Sequence, residues 1–319
     1  MSKPVVLAMQ KLPQEAVNML HADFVVHQLP AGAVAIPADW AKAIRGIATP
    51  GRDPGVGGVM GNQVFNQRPG LEVISSFSSG LDGIDVAAAM ARGILVGHAP
   101  DVLAQPVADI ALGLAIDLAR GISKGDRYVH AGLWATKGAT PLATSMGGKV
   151  AGILGLGRIG KALARRLVAC GLTVAYTGRH QQAGVSYKYI SSLIELAQAS
   201  DFLFCCCPAT PETNLIVNSN VFRALGSTGF LVNVSRGSVV DEEALMLALR
   251  NNTIAGAGLD VCQNEPQADP RLFDIPNLIL LPHLGASTAE ARQEMFDVML
   301  ENLRLHFAGE PLRYPYALP

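Results

Sequence analysis

The chain of 319 residues has no excess of either charge: 25 Lys and Arg stand against 26 Asp and Glu, a formal net charge of −1. No basic tract breaks that balance, which argues against a polyanion surface and against nucleic acid as the partner. Also missing is any uninterrupted apolar stretch of the ~18 residues a membrane helix needs. The N-terminal run in Met1-Ser-Lys-Pro-Val-Val-Leu-Ala-Met9 is only strand length and does not read as a targeting segment. Cysteine is scarce and odd in number: Cys170, Cys205, Cys206, Cys207 and Cys262. Without a secretory context these are expected to be free thiols in a reducing compartment, in a soluble cytoplasmic protein. Three of them run together, which invites a metal reading. Neighbouring strand residues point to opposite faces and cannot all reach one ion, so small buried residues of a strand over 202–206 are expected, and no metal.

Apolar residues and glycine are plentiful. Half of the chain is hydrophobic, with a mean hydropathy of +0.29, and there are 33 glycines, as in α/β proteins with buried parallel strands and many short turns. The length exceeds what one ordinary core fills, so about two domains are expected. Short apolar runs at 5–8, 24–27, 46–49, 73–75 and 94–96 alternate with helix-like segments. A second series follows at 172–177, 202–206, 230–234, 254–259 and 278–281. The alternation predicts two doubly wound parallel-sheet domains. An apolar helix over 102–120 should bridge them, and Ser287-Thr-Ala-Glu290 reads as a capping box opening a C-terminal helix through about His306. The Gly- and Pro-rich stretch 49–58 reads as a connection rather than a phosphate cradle, because no helix start is expected after it.

The most specific segment is Val150-Ala-Gly-Ile-Leu-Gly-Leu-Gly-Arg-Ile-Gly160, an apolar strand running through G-x-G-x-x-G into an amphipathic helix, with a second strand at 172–177. Such a unit predicts a dinucleotide site. Gly155 allows the tight turn, Gly157 lets a pyrophosphate approach the backbone and Gly160 lets the helix pack on the strand, with Leu156, Arg158 and Ile159 completing the loop. Three polar segments then interrupt an apolar C-terminal half: Asn233-Val-Ser-Arg-Gly-Ser-Val-Val-Asp-Glu242, Leu259-Asp-Val-Cys-Gln-Asn-Glu-Pro266 and Leu281-Pro-His-Leu-Gly-Ala-Ser-Thr288. Each follows the carboxyl end of an expected strand, where open α/β sheets bind ligands. Taken singly each is ambiguous: an Arg after a strand, as Arg236, is usually surface, a Glu before Pro, as Glu265, is usually a turn, and a lone His, as His283, is usually satisfied structure. Together they offer a fixed cation, a carboxylate and an imidazole, the set that hydride transfer to a 2-keto acid requires.

With these segments in place, the sequence resembles the NAD(P)-dependent D-2-hydroxyacid dehydrogenases, most of all their hydroxypyruvate and glyoxylate reductase branch. The resemblance runs from about Val73 to the C-terminus. It includes Ser76-Phe-Ser-Ser-Gly-Leu-Asp-Gly-Ile-Asp85, Ala99-Pro-Asp-Val-Leu103 and Val107-Ala-Asp-Ile-Ala111, while residues 1–70 match only in pattern. It implies a Rossmann cofactor domain over 99–286 and a flavodoxin-like substrate domain over 1–98 with 287–319. It further implies that Arg236 holds the substrate carboxylate and polarises the keto oxygen. His283 is implied as the general acid and Glu265 as the partner of its other ring nitrogen. Asp260 matches the position that anchors the nicotinamide carboxamide, and the backbone of Ser79 and Gly80 matches the loop gripping the substrate carboxylate. Two departures bear on substrate and cofactor: Ser79 stands where the family commonly has Val, and Ala104 where it has Thr. A homodimer is implied, formed through the helix around 102–121 and the Trp134 loop.

A carboxylate about 20 residues past the glycines would bind the ribose 2′-hydroxyl of NAD. Here that position is Thr177, followed by Gly178, Arg179 and His180, with no acidic residue between Gly155 and Ile194. The missing acid and the added Arg179 favour NADPH, with NADH as the weaker alternative; His180 either assists or lies on the surface. The expected reaction is NADPH-dependent reduction of hydroxypyruvate and glyoxylate to D-glycerate and glycolate. A 2-ketogluconate reductase is the alternative enzyme, and a dinucleotide-sensing corepressor is the alternative of another class. Phosphoglycerate dehydrogenase is expected less because no regulatory domain follows Pro319, and formate dehydrogenase because its His is usually paired with Gln.

Overall fold

The computed structural model describes residues 3–28, 36–51 and 58–317. Most of the Gly- and Pro-rich stretch, residues 52–57, lies outside them, and so does most of the reading made of it. A short helix, Asn62–Asn66, does follow, against the expectation that none would. The chain divides into two compact units, Met1–Leu103 with Thr288–Pro319, and Ala104–Ser287.

The first unit holds β1 (Val5–Ala8), β2 (Val25–Gln28), β3 (Ile44–Thr49), β4 (Val73–Ser76) and β5 (Leu95–Gly97). They form a parallel sheet in the order β2-β1-β3-β4-β5, the flavodoxin-like arrangement. Both faces are covered, which explains why the strands read as continuous apolar runs. Val6 and Ala8 face a cluster with Ala16, Val17, Met299 and Leu303, while Leu7 and Met9 face another with Ile47, Ile74 and Phe65. The C-terminal helix Ala289–Ala308 supplies much of the first cluster. Its N-cap is Thr288, not Ser287: the Thr288 backbone is extended and its Oγ1 accepts from the N–H of Ala291 at 3.1 Å. Ser287 is instead oriented towards the His283 carbonyl, at 3.5 Å.

The second unit holds β6 (Val150–Leu154), β7 (Thr173–Thr177), β8 (Lys188–Tyr189), β9 (Phe202–Cys205), β10 (Phe230–Asn233), β11 (Gly256–Leu259) and β12 (Leu278–Leu280). The sheet is parallel and ordered β12-β11-β10-β9-β6-β7-β8, a doubly wound Rossmann sheet whose order reverses between β6 and β9. The apolar helix spans Ala104–Arg120, wholly inside this unit. It packs closely on β11, where a Cβ on Gly258 would stand 3.1 Å from the Leu114 side chain. Trp134, expected on a loop, lies on the short helix Leu133–Lys137 and is exposed. The strand carrying the cysteine run ends at Cys205 rather than 206. Burial pushes all three thiols up, that of Cys207 to about 11. Among the described residues no helix is long and apolar enough to cross a membrane.

Candidate active site

At the end of β6 the chain turns at Gly155 in the left-handed region, φ +96°, where a Cβ would lie 2.6 Å from the backbone of Cys207. A Cβ on Gly160 would lie 2.3 Å from the Gly155 carbonyl, so helix and strand meet at a distance only glycine permits. At Gly157, by contrast, a Cβ would meet nothing within 4 Å. That open cradle sits at the N-terminus of the helix Arg158–Ala169, whose first turn carries no acidic residue. Leu156 is buried, Ile159 half-buried and Arg158 exposed. An open glycine at the N-terminus of a helix whose first turn carries no acidic residue fits the pyrophosphate of a dinucleotide.

β7 ends at Thr177, which is buried, with its hydroxyl directed to the Ser191 carbonyl at 3.5 Å. Its hydroxyl is therefore directed within the protein. Arg179 and His180 follow, both exposed.

The three polar segments meet at the ends of β10, β11 and β12. Asn233 holds the first: its Oδ1 accepts from the N–H of Ser235, and its Nδ2 donates to the Arg236 carbonyl at 2.9 Å. The half-buried Arg236 donates through one guanidinium nitrogen to the Ser235 carbonyl, 2.8 Å away. A Cβ on the next residue, Gly237, would collide with the Cys262 backbone at 2.1 Å, so this segment lies directly against the turn carrying Glu265. Gln263 fastens the two: its N–H donates to the Glu242 carboxylate at 2.6 Å and its side-chain amide to the Val240 carbonyl at 2.9 Å. Burial pushes the Glu242 carboxyl above its ordinary range, against the lowering effect of that bond from Gln263, and nearby Asp269 and Glu265 add to the rise.

Glu265 accepts from the Cys262 N–H at 3.0 Å with one carboxylate oxygen. The other lies 2.8 Å from Nδ1 of His283. The two side chains are 21% and 28% exposed, shielded enough to form a lasting pair and open enough to exchange a proton. His283 itself has a left-handed backbone, φ +56°, a conformation that costs about 1–3 kcal/mol for a residue with a Cβ. Asp260 holds it there. Its buried carboxylate accepts from the N–H groups of Leu284 at 2.6 Å and Gly285 at 2.9 Å, and its carbonyl from the N–H of His283 at 2.9 Å. Neither the backbone of His283 nor the Gln263–Glu242 link was readable beforehand, since turn geometry of this kind leaves no periodic signal.

Ser79 and Gly80 belong to the first unit, apart from the residues above in the division of the chain. Their loop is tied down by its own serines: Ser76 Oγ accepts from the Ser78 N–H at 3.0 Å, and Ser78 Oγ donates to the Gly80 carbonyl at 2.7 Å. Ser75 Oγ donates to the Met299 carbonyl at 3.0 Å. Ser79 uses its carbonyl, which lies 3.2 Å from Nδ1 of His98.

A doubly wound sheet with this glycine loop, followed by an acid–base pair at neighbouring strand ends, defines a dinucleotide-dependent oxidoreductase. Comparison with known proteins narrows the class. Residues 112–285 match the family model described as D-isomer specific 2-hydroxyacid dehydrogenase, NAD binding domain. The chain is 42% identical over 274 residues to glyoxylate/hydroxypyruvate reductase A of Arabidopsis thaliana, covering 86% of this chain and 85% of that one. It is 41% identical over 282 residues to the hydroxyphenylpyruvate reductase of Plectranthus scutellarioides, covering 88% and 87%. Among solved structures, the NADPH-dependent glyoxylate/hydroxypyruvate reductase of Sinorhizobium meliloti in complex with NADP and malonate superposes with a TM-score of 0.91 at 39% identity, covering 99% and 97%. The chain belongs to the D-isomer specific 2-hydroxyacid dehydrogenase family and is an enzyme of that family.

Proposed function

We propose that the protein reduces small 2-keto acids, hydroxypyruvate and glyoxylate foremost, to the 2-hydroxy acids D-glycerate and glycolate, with NADPH favoured over NADH. The observation that carries this reading is the 2.8 Å Glu265–His283 pair on the turn packed against the Arg236 segment. A bound reduced nicotinamide supplies the hydride. Residues 155–160 hold the pyrophosphate, and Arg179 is the charge positioned for a 2′-phosphate. Arg236 binds the substrate carboxylate and polarises the keto group through a planar fork of donors. His283 gives the proton on Nε2 to the keto oxygen, while Glu265 accepts from Nδ1–H and so stabilises the charged ring. Asp260 acts through the backbone by fixing the turn that aims His283. A carboxamide contact by Asp260 and the substrate-loop role of Ser79 and Gly80 rest on the family resemblance and form part of the same reading.

The choice of substrate rests on the relatives rather than on the serine loop, because the hydroxyls of Ser75, Ser76 and Ser78 are engaged within the protein. The Plectranthus relative is named for an aromatic keto acid, so the distinction needs measurement. Initial rates for hydroxypyruvate, glyoxylate, pyruvate, 4-hydroxyphenylpyruvate and 2-ketogluconate, each with NADPH and NADH, test it. The reading expects the first two with NADPH to have the highest kcat/KM. A lead by the aromatic acid or 2-ketogluconate would reject the substrate, equal rates with both dinucleotides would reject the cofactor, and binding without turnover would favour a dinucleotide sensor. A homodimer is part of the proposal, on the strength of the exposed apolar side chains Ile122, Val129, Trp134 and Leu142 that follow the long helix. A monomeric mass by light scattering would reject it.

A further inference from the structure

The segment bearing Arg179 is pinned at both ends by tyrosines. The hydroxyl of Tyr189, on the two-residue strand β8, donates to the Gly178 carbonyl at 3.1 Å. The backbone N–H of Gln182 donates to the hydroxyl of Tyr176 at 2.8 Å. The two rings lie against each other, their centroids 5.3 Å apart, and β8 pairs with β7 at Ala175 and Tyr176. A third tie runs to the glycine loop itself: the side-chain amide of Gln182 donates to the Leu156 carbonyl at 2.7 Å. Arg179, His180 and Gln181 therefore sit on a short span whose ends are fixed, one of them directly to the loop expected to hold the pyrophosphate.

We propose that Tyr189 and Gln182 are positioning residues for cofactor discrimination: they hold the Arg179 backbone at a set offset from the glycine loop, so that its guanidinium meets a 2′-phosphate once the dinucleotide is seated. This inference rests on the NADPH reading above and adds to it the residues that make Arg179 effective. Arginine has a long side chain whose ordering opposes binding. On an untethered span the backbone would have to be ordered as well, and the contact would lose much of its value. NADH has no group for Arg179 to meet, so its binding has no need of the tether. β8 is short and stands at the sheet edge, and Tyr189 is only half-buried, so removing its hydroxyl while keeping the ring leaves the packing intact.

The test is direct binding of NADPH and of NADH, followed by nicotinamide fluorescence, to the wild type, Arg179→Ala, Tyr189→Phe, Gln182→Ala and the Arg179→Ala/Tyr189→Phe double variant, with melting temperatures recorded alongside. Arg179→Ala should weaken NADPH roughly 10- to 100-fold, as expected for a charged hydrogen bond, and NADH by less than about 2-fold. Tyr189→Phe and Gln182→Ala should each weaken NADPH about 3- to 10-fold and leave NADH within about 2-fold. In the double variant the tyrosine change should add nothing, since the arginine it serves is gone. If Arg179→Ala shifts the preference but the other two leave NADPH binding unchanged, or weaken both cofactors alike, the inference is overturned and the NADPH reading stands. If Arg179→Ala leaves the preference unchanged, both fall. Gln182→Ala carries the same test should Tyr189→Phe fail to fold.

Discussion

Replacing Glu265 with Gln changes one atom and removes one acceptor, and the structure shows why that matters. The carboxylate serves two donors at once, the Cys262 N–H at 3.0 Å and the His283 Nδ1–H at 2.8 Å. A glutamine has one acceptor oxygen and one donor group for the same two positions. Turned one way, its NH2 faces the ring and the charged imidazole loses its acceptor; turned the other way, it faces the Cys262 N–H and the turn is disrupted. A hydrogen bond to a charged group contributes about 1.5–3 kcal/mol, which corresponds to roughly a 10- to 150-fold loss in kcat for reduction. The direction of the pH effect follows from which state is active. Reduction needs the protonated ring, and without the carboxylate that form is less stable, so the alkaline decline of the reduction rate moves to lower pH. The assay is kcat against pH with saturating NADPH and hydroxypyruvate. A variant with the wild-type rate and an unmoved alkaline limb would refute the pairing as the source of the proton donor's strength.

Asp260→Asn should lower both stability and kcat, because one backbone N–H of Leu284 or Gly285 would then face an amide donor in a buried site. A loss of roughly 1.5–3 kcal/mol predicts a melting temperature lower by about 3–10 °C for a domain of this size, and differential scanning fluorimetry checks it. The first unit should show a separate pH dependence through Glu72. Hydrogen bonds from Arg45, the larger effect, and from His306 hold its carboxyl below the ordinary range against the opposing effect of burial. Since its folded pKa is depressed, the stabilisation is complete above about pH 4.5 and is lost as the pH falls through the folded value. Glu72→Gln should therefore lower the melting temperature at pH 7, with the gap narrowing as the pH drops below 4.5; a gap constant with pH would contradict this.

Much of the fold was legible because parallel strands buried on both faces must be apolar throughout. The runs at 5–8, 73–75 and 230–234 coincide with β1, β4 and β10 within a residue or so. The strand β8 was not legible, since two residues, Lys188 and Tyr189, carry no periodicity. The helix cap fell one residue late, at Thr288, because Ser287 and Thr288 are chemically alike and only the backbone decides which of them caps. In the site, residue types at strand ends pointed to Arg236, Glu265 and His283. What positions them did not show: the Asp260 carboxylate accepts from two backbone N–H groups, and a Cβ at Gly237 would collide with the Cys262 turn.

The most direct test of the central claim, that His283 supplies the proton in a dinucleotide-dependent keto-acid reduction, is the single variant His283→Ala assayed for turnover and cofactor binding in the same preparation. The account predicts a fall in kcat of about 10²–10⁴-fold, the range for losing a general acid, with NADPH binding within about 2-fold of the wild type. A variant that kept more than about a tenth of the wild-type kcat would contradict it.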